Sequence, residues 1–218
     1  NSLYANASIG LYNALYLDVS GRNDWASTLP QANNSYFYPS ASLSWIASET
    51  FSLPQVISFA KLRMGFGQVG NDTDPYSLQP YFQFLSQPYG SQLLGTESNI
   101  LPNPNLRPER LTTFEVGADV RFFGRRLGLD LTYFNNKSVD QIIRIPVSQT
   151  SGYGAKFINA GEINTQGIEA LVTVIPVRSP NFSWEAGMNF SLNRSTIVRL
   201  NDDLNTYQLS GNYVSVLA

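Results

Sequence analysis

The 218 residues of this chain include no cysteine and no histidine. Without cysteine there are no disulfide staples, no thiolate nucleophile and no sulfur ligand for a metal. Without histidine the usual general base is missing, and with it the Ser-His-Asp triad and typical zinc sites. Most hydrolase and metalloenzyme chemistry ends there, so no catalytic residue, cofactor or metal is expected. Charge is scarce as well: charged residues make up 14%, and the formal net charge is −2. A soluble domain carries about a quarter, and a nucleic-acid partner calls for a basic footprint that this balance lacks. No apolar run reaches the length of a membrane-spanning helix, about 18 residues or more.

Aromatics are abundant, at 13% of the chain, and low charge with many aromatics fits a surface that partly faces lipid. The clearest pattern lies between Phe114 and Asn135. One face of this stretch reads Phe114, Val116, Ala118, Val120, Phe122, then Leu127, Leu129, Leu131, Tyr133. The other reads Glu115, Gly117, Asp119, Arg121, then Gly128, Asp130, Thr132. Strand side chains alternate between faces, so this is a hairpin with one apolar and one polar side. A turn at Phe123–Arg126, built around Gly124, places Val120 opposite Leu129, Ala118 opposite Leu131 and Val116 opposite Tyr133. Each strand has roughly ten residues, enough for a tilted strand to cross a bilayer. A soluble β-sandwich also alternates, with its apolar face inward.

Similar patterning predicts long strands over Leu3–Leu11, Leu15–Ser20, Phe37–Ala47, Ser58–Gln68, the hairpin, Gly161–Ile175 and Phe182–Leu192. Their connections alternate short and long. Tyr12–Ala14 and Pro176–Asn181 read as turns, whereas Gly21–Tyr36, Val69–Arg110 and Ser138–Ala160 are long, the last with a short strand at Ile142–Val147. Short turns at one end and long loops at the other mark outer-membrane barrels. A connection as long as Val69–Arg110 without structure counts against a compact soluble domain. The fold expected is all-β, an antiparallel up-and-down meander forming part of a transmembrane β-barrel. Asn1–Tyr4 lacks the features of a signal peptide, and Tyr213–Ala218 reads as mid-strand, so a piece of a longer protein is expected.

Several segments carry a resemblance. They are Tyr38–Trp45, Lys61–Arg63 with Gly65–Asn71, Asn103-Pro104-Asn105-Leu106-Arg107-Pro108-Glu109, Gly128–Phe134, Asn159–Gly161 and Asn164–Glu169. Together and in this order they resemble the barrel of SusC-like TonB-dependent outer-membrane transporters. The resemblance implies that residues 1–218 are about eight strands of a barrel of about 22, with the plug domain and the remaining strands absent. It implies location in the Gram-negative outer membrane and import of large nutrients such as oligosaccharides or peptides. The partners implied are lipid, the protein's own plug, TonB and a SusD-like surface lipoprotein acting as a lid. The rival readings are a secreted β-sandwich adhesin or carbohydrate-binding module, and a complete eight-stranded small barrel.

Candidate site residues fall into two groups. Glu115, Asp119, Arg121 and Asp130 are candidate lumen charges; Asp119 and Asp130 should face each other, with Arg121 diagonal to Asp130 and able to neutralise it. Such a set either contacts plug or substrate or is a structural network of the wall. Glu115 and Asp119 stand on the order of 13 Å apart by strand rise, too far for a glycosidase pair. The second group is Tyr76, Tyr81, Phe82, Phe84 and Tyr89 of the longest loop, which can stack on sugar rings or pack on the loop itself. Asp72 and Asp74 offer oxygens but not the spacing of a calcium loop, and a solvated turn is the simpler reading. Trp25 and Trp45 are candidates for the membrane interfaces, Trp45 the better placed.

Overall fold

The computed structural model describes residues 1–200 except Tyr76 and Pro88, together with the backbone of Thr206–Gln208 and Ser215–Leu217. In chain order its elements are β1 (Ser2–Leu11), β2 (Leu15–Trp25), β3 (Ser35–Ile46), the helical turn α1 (Ala47–Thr50) and β4 (Ile57–Asn71). The loop strands β5 (Phe82–Phe84), β6 (Gly95–Glu97) and β7 (Ile100–Leu101) follow, then β8 (Glu109–Phe122), β9 (Leu127–Val139), β10 (Ile142–Pro146) and β11 (Ala155–Asn159). Last come β12 (Glu162–Ser179), β13 (Phe182–Arg199) and the small pair β14 (Thr206–Gln208) and β15 (Ser215–Leu217).

Eight strands form one sheet in the order β1-β2-β3-β4-β8-β9-β12-β13, and every neighbouring pair is antiparallel. Among the described residues each long strand pairs only with the next long strand, so the eight-stranded sheet has no Greek-key crossing, and the other sheets are small ones of two or three short strands. This removes the sandwich. Strands β1 and β13 are the two outer edges, so the sheet is open rather than a closed small barrel.

Register explains why the sheet has a front and a back. One row runs Leu11, Leu15, Trp45, Leu62, Ala118, Leu131, Ala170, Phe190 across all eight strands. The next runs Ile9, Leu17, Leu43, Met64, Val116, Tyr133, Ile168, Leu192.

Among the described residues the wall has no apolar core of its own. Leu62, Met64 and Phe66 of β4 are 46%, 48% and 40% exposed, while the intervening Lys61, Arg63 and Gly65 are partly buried. Apolar residues that are buried, such as Leu29, Leu106, Ile145 and Ile175, sit in the connections or near strand ends.

Short turns close one end. Tyr12 and Asn13 both take φ 54°, with Ala14 N donating to Leu11 O at 3.1 Å, a tight turn with two positive-φ residues inside the three-residue connection Tyr12–Ala14. The Phe123–Arg126 turn holds Phe123, Gly124 and Arg125 at positive φ. It is anchored because Phe123 N donates to Val56 O and Gly124 N to Ser58 Oγ. One expected turn is displaced: β12 runs through Pro176 to Ser179. The register slips between Val174 and Val177, and a proline without an N–H is tolerated in such a bulge. Strand β2 is likewise longer than its apolar pattern, because the polar Arg22, Asn23 and Asp24 continue the ladder.

Candidate functional site

Depressions in the sheet lie over its polar face. A depression of about 440 Å³ lies over Asn6, Ser8, Asp18, Ser20, Ser42 and Glu115. A second, of about 430 Å³, lies over Asp119, Arg121, Arg125, Asp130, Arg178 and Glu185 near the short-turn end. Hydroxyls dominate the first. Ser8 Oγ donates to Asp18 at 2.6 Å, Ser42 Oγ reaches the same carboxylate at 3.4 Å, and the Ser20 and Ser40 hydroxyls are 2.7 Å apart. Glu115 stands opposite Gly65 with its side chain exposed.

Asp119 and Asp130 do face each other across β8 and β9, but Arg121 does not bridge to Asp130 as expected. Its guanidinium turns back along β8 to Asp119, at 2.9 and 3.2 Å. A different arginine serves Asp130. Arg63 of β4 lies opposite Gly117 of β8, which lies opposite Thr132 of β9. Arg63 reaches over the glycine and grips both Asp130 oxygens, at 2.9 and 2.5 Å, and Thr132 Oγ1 at 2.6 Å. A Cβ on Gly117 would fall 2.7 Å from Arg63 Nε, so the glycine is the channel that admits the side chain. Each carboxylate thus has its own arginine, which removes the repulsion that two bare acids would feel. Arg63 alternates with the apolar Leu62, Met64 and Phe66 in the sequence, but no local pattern carries register across the 72–108 connection, so this partner was not visible.

The apolar face is built for an apolar solvent. Near the short-turn end Trp45 Nε1 donates to Thr50 Oγ1 at 2.9 Å, and its ring meets Phe51 edge-on at 5.7 Å. Trp25 sits at the opposite end of its strand and is exposed. Rings with one polar atom at the two edges of an apolar band suit membrane interfaces.

At the long-loop end the candidate aromatics divide. Phe82 and Phe84, two apart on β5, share a face and are 78% and 76% exposed. Tyr89 is 78% exposed at the hairpin tip, where it pairs with Gln92. Tyr81 is partly buried and its hydroxyl accepts from Gln83 Nε2 at 2.9 Å. Tyr76 lies outside the described residues. Asp72 accepts a hydrogen bond from Thr28 Oγ1 at 2.6 Å and so ties its loop to the β2–β3 connection, while Asp74 offers only its backbone oxygen, to Ser77 Oγ at 2.8 Å within its own turn.

A single open antiparallel sheet with apolar rows on one face and paired charges on the other is the anatomy of a large membrane barrel. The family model for the TonB dependent receptor-like β-barrel matches residues 1–216. The chain belongs to that family. TonB-dependent receptor P3 of Formosa agariphila is 29% identical over 187 residues, covering 84% of this chain and 19% of the relative. TonB-dependent receptor SusC of Bacteroides thetaiotaomicron is 26% identical, covering 98% of this chain and 22% of the relative. The solved RagAB peptide importer superimposes with a TM-score of 0.84 over 96% of this chain and 23% of its own, at 24% identity. The chain therefore spans about a fifth of the length of the curated relatives it matches. The TonB-dependent receptor barrels are receptors and transporters of the Gram-negative outer membrane, not enzymes.

Proposed function

We propose that residues 1–218 are a section of the barrel wall of a SusC-like TonB-dependent transporter that imports oligosaccharides or peptides. In this reading the plug and the other strands belong to the rest of the parent protein, TonB supplies the energy, and a surface lipoprotein closes the mouth. One observation carries it: two apolar rows cross all eight strands on one face, while the other face holds the Arg63–Asp130 and Arg121–Asp119 pairs over open hollows. A barrel wall between lipid and a wide polar lumen needs that inversion. The long connections, with exposed Phe82, Phe84 and Tyr89, form the outer rim where solute is first met. Oligosaccharides and peptides are the two chemistries that the resemblance to SusC-like transporters leaves to be tested.

The test is uptake by intact cells. Strains lacking the parent protein, and strains lacking TonB, are offered a fluorescent maltoheptaose and a fluorescent peptide pool from digested casein. Loss of one cargo in both strains is the expected result. Undiminished uptake of both cargoes by both strains overturns the assignment.

A further inference from the structure

The segment Asn103–Glu109 contributes only its last residue to the wall, yet it holds Leu106, which is 0% exposed. The bonds around Leu106 tie its own connection to two others. From the β2–β3 connection, Asn33 Nδ2 donates to Leu106 O at 3.1 Å. From the connection after β9, Asn159 Oδ1 accepts from Arg107 N at 2.8 Å. The Asn159 amide donates back to Arg107 O at 2.7 Å and to Asp140 O at 2.9 Å. Asn103 Nδ2 donates to Phe157 O at 3.0 Å, and the Arg107 guanidinium meets Asp140 at 2.7 Å. Glu109 closes the base, accepting from Ile142 N at 2.8 Å and from Asn71 Nδ2 at 3.2 Å.

Two features make this a built joint rather than a loop packed by chance. Asn159 uses its carbonyl and its amide on three backbone groups, so removing its side chain strands all three together. Further out, β7 joins β11 in parallel, and Gly154 N donates to Asn99 O and Oδ1 at 3.0 and 2.7 Å. The exposed β5–β6 hairpin leaves this body directly, through Ser98 N to Tyr81 O at 2.9 Å and Asn103 N to Ser77 O at 3.4 Å. Phe82 and Phe84 are 78% and 76% exposed, so the backbone bonds at the base of the hairpin are what fix the strand that carries them.

We infer that Leu106 and Asn159 are positioning residues that fuse the 26–34, 72–108 and 140–161 connections into one body, holding the Phe82 and Phe84 rings ready for solute. The solute clause rests on the transporter reading; the mechanical clause does not. Pre-organised rings lose less freedom when a solute arrives, which is where the joint would aid capture.

Hydrogen exchange on the full-length parent in detergent separates the two, because it needs no solute. Asn159→Ala and Leu106→Ala should raise exchange about tenfold at 28–34, 77–101 and 142–158 alike, as a loss of about 1.4 kcal/mol of opening free energy does. Strands β4 and β8 should keep their protection, and Leu106→Met, which conserves volume, should behave as wild type. Exchange raised only at the groups bonded to the altered side chain, or unchanged in both alanine variants, overturns the fused-rim inference. Either outcome leaves cell uptake as a separate question.

Discussion

Arg63 and Asp130 are joined across a strand that lies between them. The link runs from β4 to β9 over Gly117 of β8, with both carboxylate oxygens and Thr132 engaged. Both side chains are about a third exposed, 35% and 34%, so solvent weakens the pair, while its forked geometry strengthens it. A double-mutant cycle in the full-length parent, with Arg63→Ala, Asp130→Ala and both, should give a coupling of about 1 kcal/mol in denaturant unfolding. Strict additivity of the two single effects would show that the pair contributes nothing.

The glycine beneath the link makes a sharper prediction. A methyl at residue 117 meets the Arg63 guanidinium at 2.7 to 3.0 Å. The Arg63 side chain is about a third exposed and can swing aside, so Gly117→Ala should cost about what the link contributes, about 1 kcal/mol, in the wild type. In an Arg63→Ala background the clash is gone, and the same change should be neutral or slightly stabilising. An equal cost in both backgrounds would place the strain elsewhere.

Substitution on the two faces should read out their solvents. Leu131 lies in an apolar row that crosses all eight strands, and Ser42 lies over the polar hollow. Leu131→Arg should cost about 2–4 kcal/mol if that row lies near mid-bilayer, whereas Ser42→Arg should cost well under half as much. Equal costs in refolding into lipid vesicles would contradict the assignment of faces.

Much of this was legible because a strand's period is two. Phe114 through Tyr133 announced its faces, its turn and its cross-strand partners, and Val116 does sit opposite Tyr133. Prediction failed where polar residues continue a strand, as at Arg22–Asp24, and where a bulge absorbs a proline, as at Pro176. The charges were half legible. The facing of Asp119 and Asp130 follows from one short turn, but Arg63 arrives from across a long connection, and no local pattern encodes that register. The Asn103–Glu109 segment stood out as a motif, yet its bonds to Asn33, Asp140, Phe157 and Asn159 are all tertiary.

The rim aromatics make a functional prediction. Phe82 and Phe84 are exposed on one face of β5. If they stack on solute, Phe82→Ala with Phe84→Ala should weaken capture of the transported solute by about tenfold, in keeping with 0.5–1.5 kcal/mol for each aromatic contact. Barrel stability should not change, since neither ring is buried. Unaltered affinity in fluorescence titration would assign these rings to contacts other than solute.

The last prediction concerns residues 1–218 expressed alone. The sheet leaves the outer edges of β1 and β13 open, and the apolar rows expose Leu62, Met64, Leu131, Ile168, Phe190 and Leu192 together. In water that band far exceeds the few hundred Å² of contiguous apolar surface a soluble monomer tolerates. In lipid, each unpaired backbone group along the two edges costs several kcal/mol. Neither solvent satisfies both demands, so the isolated chain should form aggregates or heterogeneous oligomers on refolding into detergent. The full-length parent, with its sheet closed, should insert as one heat-resistant barrel. Size-exclusion chromatography with light scattering distinguishes the outcomes; a monodisperse soluble monomer that unfolds cooperatively would show that this sheet buries its apolar rows by itself, and would defeat the barrel-wall reading.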